Sequence, residues 1–144
     1  MTAITLRAMS SSFPAVVPYL YYPDAARAVE FLVRAFGFEE HSVVRDRDGV
    51  VWTAQLRTGP DAGSGLVMVG PGMAEFGSHA VTDPDRATGR VHVVVDDLDA
   101  HYQRALSEGA VIRSEPAVGF GGMKTYVAGD CGGQQWIFAE PIST

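Results

Sequence analysis

Cysteine occurs once in these 144 residues, at Cys131, and lysine once, at Lys124. A single thiol excludes an intrachain disulfide and a zinc site built from several thiolates, and it fits a reducing compartment. Long apolar runs are missing too. No stretch is long enough to span a bilayer, and residues 1–13 lack the continuous apolar segment of a signal peptide. The chain is therefore expected in the cytoplasm, away from membranes. Positive charge is scarce, with 11 Lys and Arg against 17 Asp and Glu and a formal net charge of -6. Phosphate backbones need a concentrated basic face, so no nucleic-acid partner is expected, and a neutral or cationic small molecule is the easier guest. Low-complexity tracts are absent. A content of 47% hydrophobic and 19% charged residues is the balance of a globular domain able to bury its own core.

What is present is a repeat. Tyr19 precedes Asp24, Ala25, Val29, Leu32 and Val33, and His92 stands in the same relation to Asp97, Leu98, Tyr102, Ala105 and Leu106. Each set is the apolar stripe of an amphipathic helix that covers a sheet. In the first half, residues 16–22 read as a strand, a helix opens at Asp24 and runs to Phe36, and Gly37 ends it. Strands at 39–45 and 50–57 are joined at Asp46-Arg47-Asp48-Gly49, where Asp-Gly supplies the positive φ of a hairpin, and a fourth strand covers 66–69. The second half repeats the order: a strand at 90–95, a helix capped by Asp97 and ending near Gly109, then strands at 110–113, 125–128 and 134–139. The expected organisation is a tail (1–13), a βαβββ module (14–70), a Pro- and Gly-containing linker (71–89) that folds over the cavity mouth, and a second βαβββ module (90–144).

Alternation along strands nominates the residues that face a cavity. Val17, Tyr19 and Tyr21 share one face of the first strand. On the third, Thr53, Gln55 and Arg57 alternate with Trp52, Ala54 and Leu56, and the polar set is assigned to the cavity; the opposite phase would place Trp52 there as a stacking plate. On the eighth, Gln135 and Ile137 face inward and leave Trp136 and Phe138 to the core. Tyr rings offer stacking, and the amides and hydroxyls of Gln55, Gln135 and Thr53 offer orientation. His41, His79 and His101 fall on a strand, the linker and an exposed helix face, and carry no assigned role. No Ser, His and Asp set converges and Cys131 has no identifiable base, so machinery for nucleophilic catalysis is not visible.

Four segments together resemble a known family: Val17-Pro18-Tyr19-Leu20, Arg34-Ala35-Phe36-Gly37-Phe38, the run from Val91 to Ala100, and Asp130 to Trp136. In order and spacing they are similar to the vicinal oxygen chelate superfamily of glyoxalase, bleomycin resistance and dioxygenase proteins. The Pro-Tyr-Leu opening and the Gln-Gln-Trp after the last turn are most similar to its PhnB-like branch. The resemblance implies an α+β fold of paired βαβββ modules whose mixed, largely antiparallel sheets curl into a cup, and a homodimer. It places Phe120, Lys124 and Tyr126, beside the glycine-rich loop, near the pocket mouth. Metal-dependent relatives hold one divalent ion at four places that map here to Tyr19, Met68 or Val69, His92 and Ile137. Only His92 is a conventional ligand, and Glu140 lies an odd number of residues beyond Ile137, on the opposite strand face unless a bulge intervenes. The expectation is a metal-free protein that sequesters a planar or aromatic small molecule such as an antibiotic, through Tyr19, Tyr21, Trp52, Thr53, Gln55, Arg57, His92, Phe120, Lys124, Tyr126 and Gln135. The alternative is a lyase, isomerase or epimerase with His92 as general base, or as part of a site for one divalent ion.

Overall fold

The computed structural model describes residues 13–61 and 63–142. Two βαβββ modules follow one another. The first comprises β1 (Tyr19–Tyr21), α1 (Ala25–Phe36), β2 (Glu39–Arg45), β3 (Val51–Arg57) and β4 (Leu66–Gly70). The second comprises β5 (Val91–Val94), α2 (Leu98–Ser107), β6 (Val111–Val118), β7 (Met123–Gly129) and β8 (Gln135–Pro141). Each module makes one four-stranded sheet, in the orders β1-β4-β3-β2 and β5-β8-β7-β6. The first strand of each pairs parallel with the last, and the other neighbours are antiparallel. The fold is thus the α+β pair of open mixed sheets that the family resemblance implies. β1 is shorter than expected, β6 runs on to Val118, and β7 begins at Met123.

Local chemistry fixes the helices. Asp24 accepts a hydrogen bond from the Arg27 amide and caps α1, and Asp97 does the same for α2 through the Ala100 amide. Gly37 closes α1 in the left-handed region at φ 70, and its N–H reaches the Leu32 carbonyl. Ala28, Val29, Leu32, Ala35 and Phe36 bury one stripe of α1 against the sheet, and Leu98 and Ala105 anchor α2.

One core serves both modules. Phe36 at the end of α1 lies 4.7 Å from Phe138 of β8, and Phe38 lies 5.3 Å from Trp136, ring centre to ring centre. Tyr22, Leu56 and Val69 from the first module join Tyr126, Trp136 and Phe138 from the second in a single buried cluster. Both helices lie on this inner side. Among the described residues no helix or strand covers the opposite faces of the two sheets, and Val44, Trp52 and Val94 are exposed there.

Candidate functional site

The register between strands fixes what shares the uncovered face of the first sheet. Tyr19 sits beside Met68, Met68 beside Gln55, and Gln55 beside Ser42, which places their side chains in one row. Tyr21, Thr53 and Arg57 stand on the same face two residues along. The Tyr19 hydroxyl donates to Thr53 Oγ1 at 3.0 Å, and the Tyr19 and Tyr21 rings lie 5.3 Å apart at 30°.

Trp52 departs from the expected alternation. Val44 faces Thr53 and Arg45 faces Val51, so Trp52 is the extra residue of a β-bulge. Val51 and Ala54 are both buried, which leaves Trp52 and Thr53 together on the open side, with Trp52 53% exposed. The polar set and the indole therefore share a face; they are not alternatives. Ala54 and Leu56 fill the core as expected.

A cavity of about 490 Å³ opens beside β1, lined by Tyr19 and Tyr21, by linker residues from His79 to Gly89, and by Gly133, Gln134 and Gln135. The linker stands here as a wall because it is tied down. Asp83 Oδ1 accepts from the Asp85 amide, and the Arg86 amide donates to the Asp83 carbonyl, which makes a tight turn. The Pro84 carbonyl accepts from Arg113 Nη2 at 3.0 Å and from Gln135 Nε2 at 3.1 Å, and Arg113 also pairs with Asp85 at 2.6 Å. Gly133, at φ 87, lets the chain approach, since a Cβ there would fall 2.9 Å from Pro84 Cβ. Gln135 is 3% exposed, with its Oε1 taken by Arg90 Nε and its Nε2 by Pro84. Although it lines the cavity, it braces the wall.

His92 occupies a different recess of about 400 Å³, with Val16, Pro18, Leu66 and Val67. It is exposed, and among the described residues its ring has no hydrogen bond or ion pair. The places mapped for a divalent ion form two matched pairs in the register, Tyr19 with Met68 and His92 with Ile137. β8 pairs without interruption on both sides, so no bulge turns Glu140 round. Its Oε1 accepts from the Leu98 amide at 3.3 Å, on the helix side. A phenol, a thioether, an imidazole and an aliphatic chain do not fit a divalent ion, which needs about three good donors.

Two expected residues are placed elsewhere. Tyr126 is 0% exposed on the core face of β7, where its hydroxyl meets His101 Nδ1 at 2.6 Å. Lys124 shares that phase and turns to the helix side, holding both oxygens of Asp99 at 2.9 and 2.8 Å. Alternation already separates 124, 126 and 128 from 125 and 127, and the apolar Ala128 identifies the inner set. The side chain of Phe120 lies outside the described residues.

Two polar groups join the modules, and the sequence assigned neither of them a role. His101 is half-buried, with Nε2 3.0 Å from the Phe36 carbonyl. A carbonyl only accepts, so Nε2 carries the proton and Nδ1 accepts from Tyr126. Burial holds the imidazole down at about 4, Arg104 adding to the effect and the Phe36 hydrogen bond opposing it. Asp130 accepts from the Tyr22 hydroxyl, Trp136 Nε1 and the amides of Gly132 and Gln134. Burial raises its carboxyl above the usual range, while those hydrogen bonds act in the opposite sense. Partial desolvation and the neighbouring Asp130 charge push the thiol of the exposed Cys131 up to about 11, which makes it a poor nucleophile at neutral pH.

Paired βαβββ modules with parallel first and last strands define a protein of the glyoxalase type. The chain belongs to the Glyoxalase/Bleomycin resistance protein/Dioxygenase superfamily, whose profile matches residues 13–138. The protein Mb0911c of Mycobacterium bovis is 30% identical over 132 residues, covering 90% of this chain and 84% of its own. The crystal structure of TioX from Micromonospora sp. ML1 superposes with a TM-score of 0.67 at 30% identity, over 91% of this chain and 98% of that one. TnmS3, an antibiotic binding protein from Streptomyces sp. CB03234, superposes at 0.65 with 17% identity, over 89% and 97%. Among the described residues no helix is long and apolar enough to cross a membrane.

Proposed function

We propose that this protein is a metal-free binding protein that sequesters a planar, partly aromatic small molecule against Tyr19 and Tyr21. The observation that carries the reading is the pair of tyrosine rings lining a cavity of about 490 Å³, with Tyr19 at the position that maps to a metal ligand of metal-dependent relatives. Stacking on each ring contributes about 0.5 to 1.5 kcal/mol beyond area burial. Trp52 and the polar row of Thr53, Gln55 and Arg57 extend the same face. The donor set at the four mapped places supports the metal-free part. His92, without an acidic partner among the described residues, lacks the support of a general base. TnmS3 uses this fold as an antibiotic binding protein, and an antibiotic is one ligand of the required shape. The protein works as a cytoplasmic homodimer, in which a second copy covers the apolar area left at Val44 and Val94.

The test has two arms. Protein purified without chelator is subjected to elemental analysis, and no stoichiometric metal is expected; one Zn, Ni, Mn or Fe per chain overturns the metal-free reading. A fluorescence and thermal-shift screen of planar aromatic compounds is then run on wild type and on Tyr19→Ala with Tyr21→Ala. Binding that survives loss of both rings refutes the site. Light scattering reads the dimer directly.

A further inference from the structure

We propose that Arg86 makes the cavity beside Tyr19 and Tyr21 selective for planar aromatic acids, the ring seated on the tyrosines and the carboxylate held by the guanidinium. The inference rests on the binding reading above and deepens it. It also runs against the net charge of the whole chain, because the groups at the cavity wall decide, and those are few. Arg86 lines both the cavity of about 490 Å³ and the adjoining recess over Gln135 and Ile137. Its backbone is set by the Asp83 turn, and that turn is fastened through Pro84 and Asp85 to Gln135 and Arg113. The side chain is therefore presented from a braced segment.

The neighbouring cations are partly engaged and stand outside the cavity wall: Arg90 donates through Nε to Gln135 and Arg113 through Nη2 to Asp85 and Pro84, and neither lines the cavity of about 490 Å³. Arg86 has no side-chain hydrogen bond or ion pair among the described residues, so its forked donors are available. The carboxylate in the lining, Asp83, is folded back onto the Asp85 amide and makes no ion pair with Arg86 among the described residues. His79 turns its Nδ1 to the Ala80 carbonyl at 2.7 Å. A guanidinium with unspent donors on the wall of a cavity that two tyrosines also line matches a flat body with one carboxylate at its edge, through two parallel charge-assisted hydrogen bonds.

The experiment titrates the protein with three probes of one shape: naphthalene-2-carboxylate, naphthalene-2-methanol and 2-naphthylmethylamine. Wild type is expected to bind the acid roughly ten- to a hundredfold more tightly than the alcohol, and the amine most weakly. Arg86→Gln, checked by thermal melting, is expected to bring acid and alcohol to equal affinity. Arg47→Gln, at the hairpin tip, removes the same unit of charge and is expected to keep the preference. If the acid binds no better than the alcohol, or its preference persists in Arg86→Gln, the acid selectivity is overturned while alcohol binding leaves the planar-ligand reading intact. If none of the three probes binds, both readings fall.

Discussion

Acidification between pH 7.5 and 5 should weaken this protein through His101. The imidazole sits near 4 in the folded chain against an ordinary value of 6.5. The unfolded chain therefore takes up the proton first. The stabilisation is complete above about pH 6.5 and is lost as the pH falls towards 4. The whole gap is worth about 3 kcal/mol, of which about 2 kcal/mol is gone by pH 5. The structural origin is specific: a proton on Nδ1 would break the acceptor role towards Tyr126, whose hydroxyl has no exposure to water. Urea melts of wild type and His101→Gln from pH 7.5 to 5 isolate this group. Asp130 titrates in both proteins and cancels in the difference. The wild type should be the more stable at pH 7.5, and its advantage should shrink by about 2 kcal/mol at pH 5. A difference that stays constant across the range would refute the assignment of a neutral, half-buried His101.

Asp130→Ala should lower stability by about 3 kcal/mol or more in chemical denaturation, because it strands four donors, two of them side chains of Tyr22 and Trp136; a loss under about 1 kcal/mol would show that water replaces the carboxylate. Gly132→Ala should destabilise by about 1 to 3 kcal/mol, since the new methyl would lie 2.5 Å from Cδ1 of the buried Tyr22, and an unchanged melting temperature would refute that contact. Lys124→Ala should leave the affinity for any cavity ligand unchanged in titration, as its ammonium holds Asp99 on the helix side; a weakened ligand would return Lys124 to the pocket.

The two caps and the hairpin turn were legible because they are local, and the repeat because Tyr19 and Asp24 recur as His92 and Asp97 at the same spacing. Asp24 and Asp97 act within three residues, and Gly37 and Gly49 supply positive φ where the chain turns. Strand phase was legible on β8, where Trp136 and Phe138 alternate with Gln135 and Ile137. It failed at Trp52, since a bulge depends on how the partner strand pairs and leaves no mark in the sequence of one strand. Lys124 and Tyr126 were misplaced by resting on loop proximity where alternation was available. The roles of His101, Asp130 and Gln135 come from partners such as Phe36, Tyr22 and Pro84, far away along the chain. Whole-chain charge, likewise, could not reveal which cation the linker carries to the cavity.

Because aromatic rings from each repeat interlock in one interior, neither half has a hydrophobic centre to retain on its own. The duplicated protein should melt in a single cooperative step, with amide exchange from β4 and β8 governed by the same global opening.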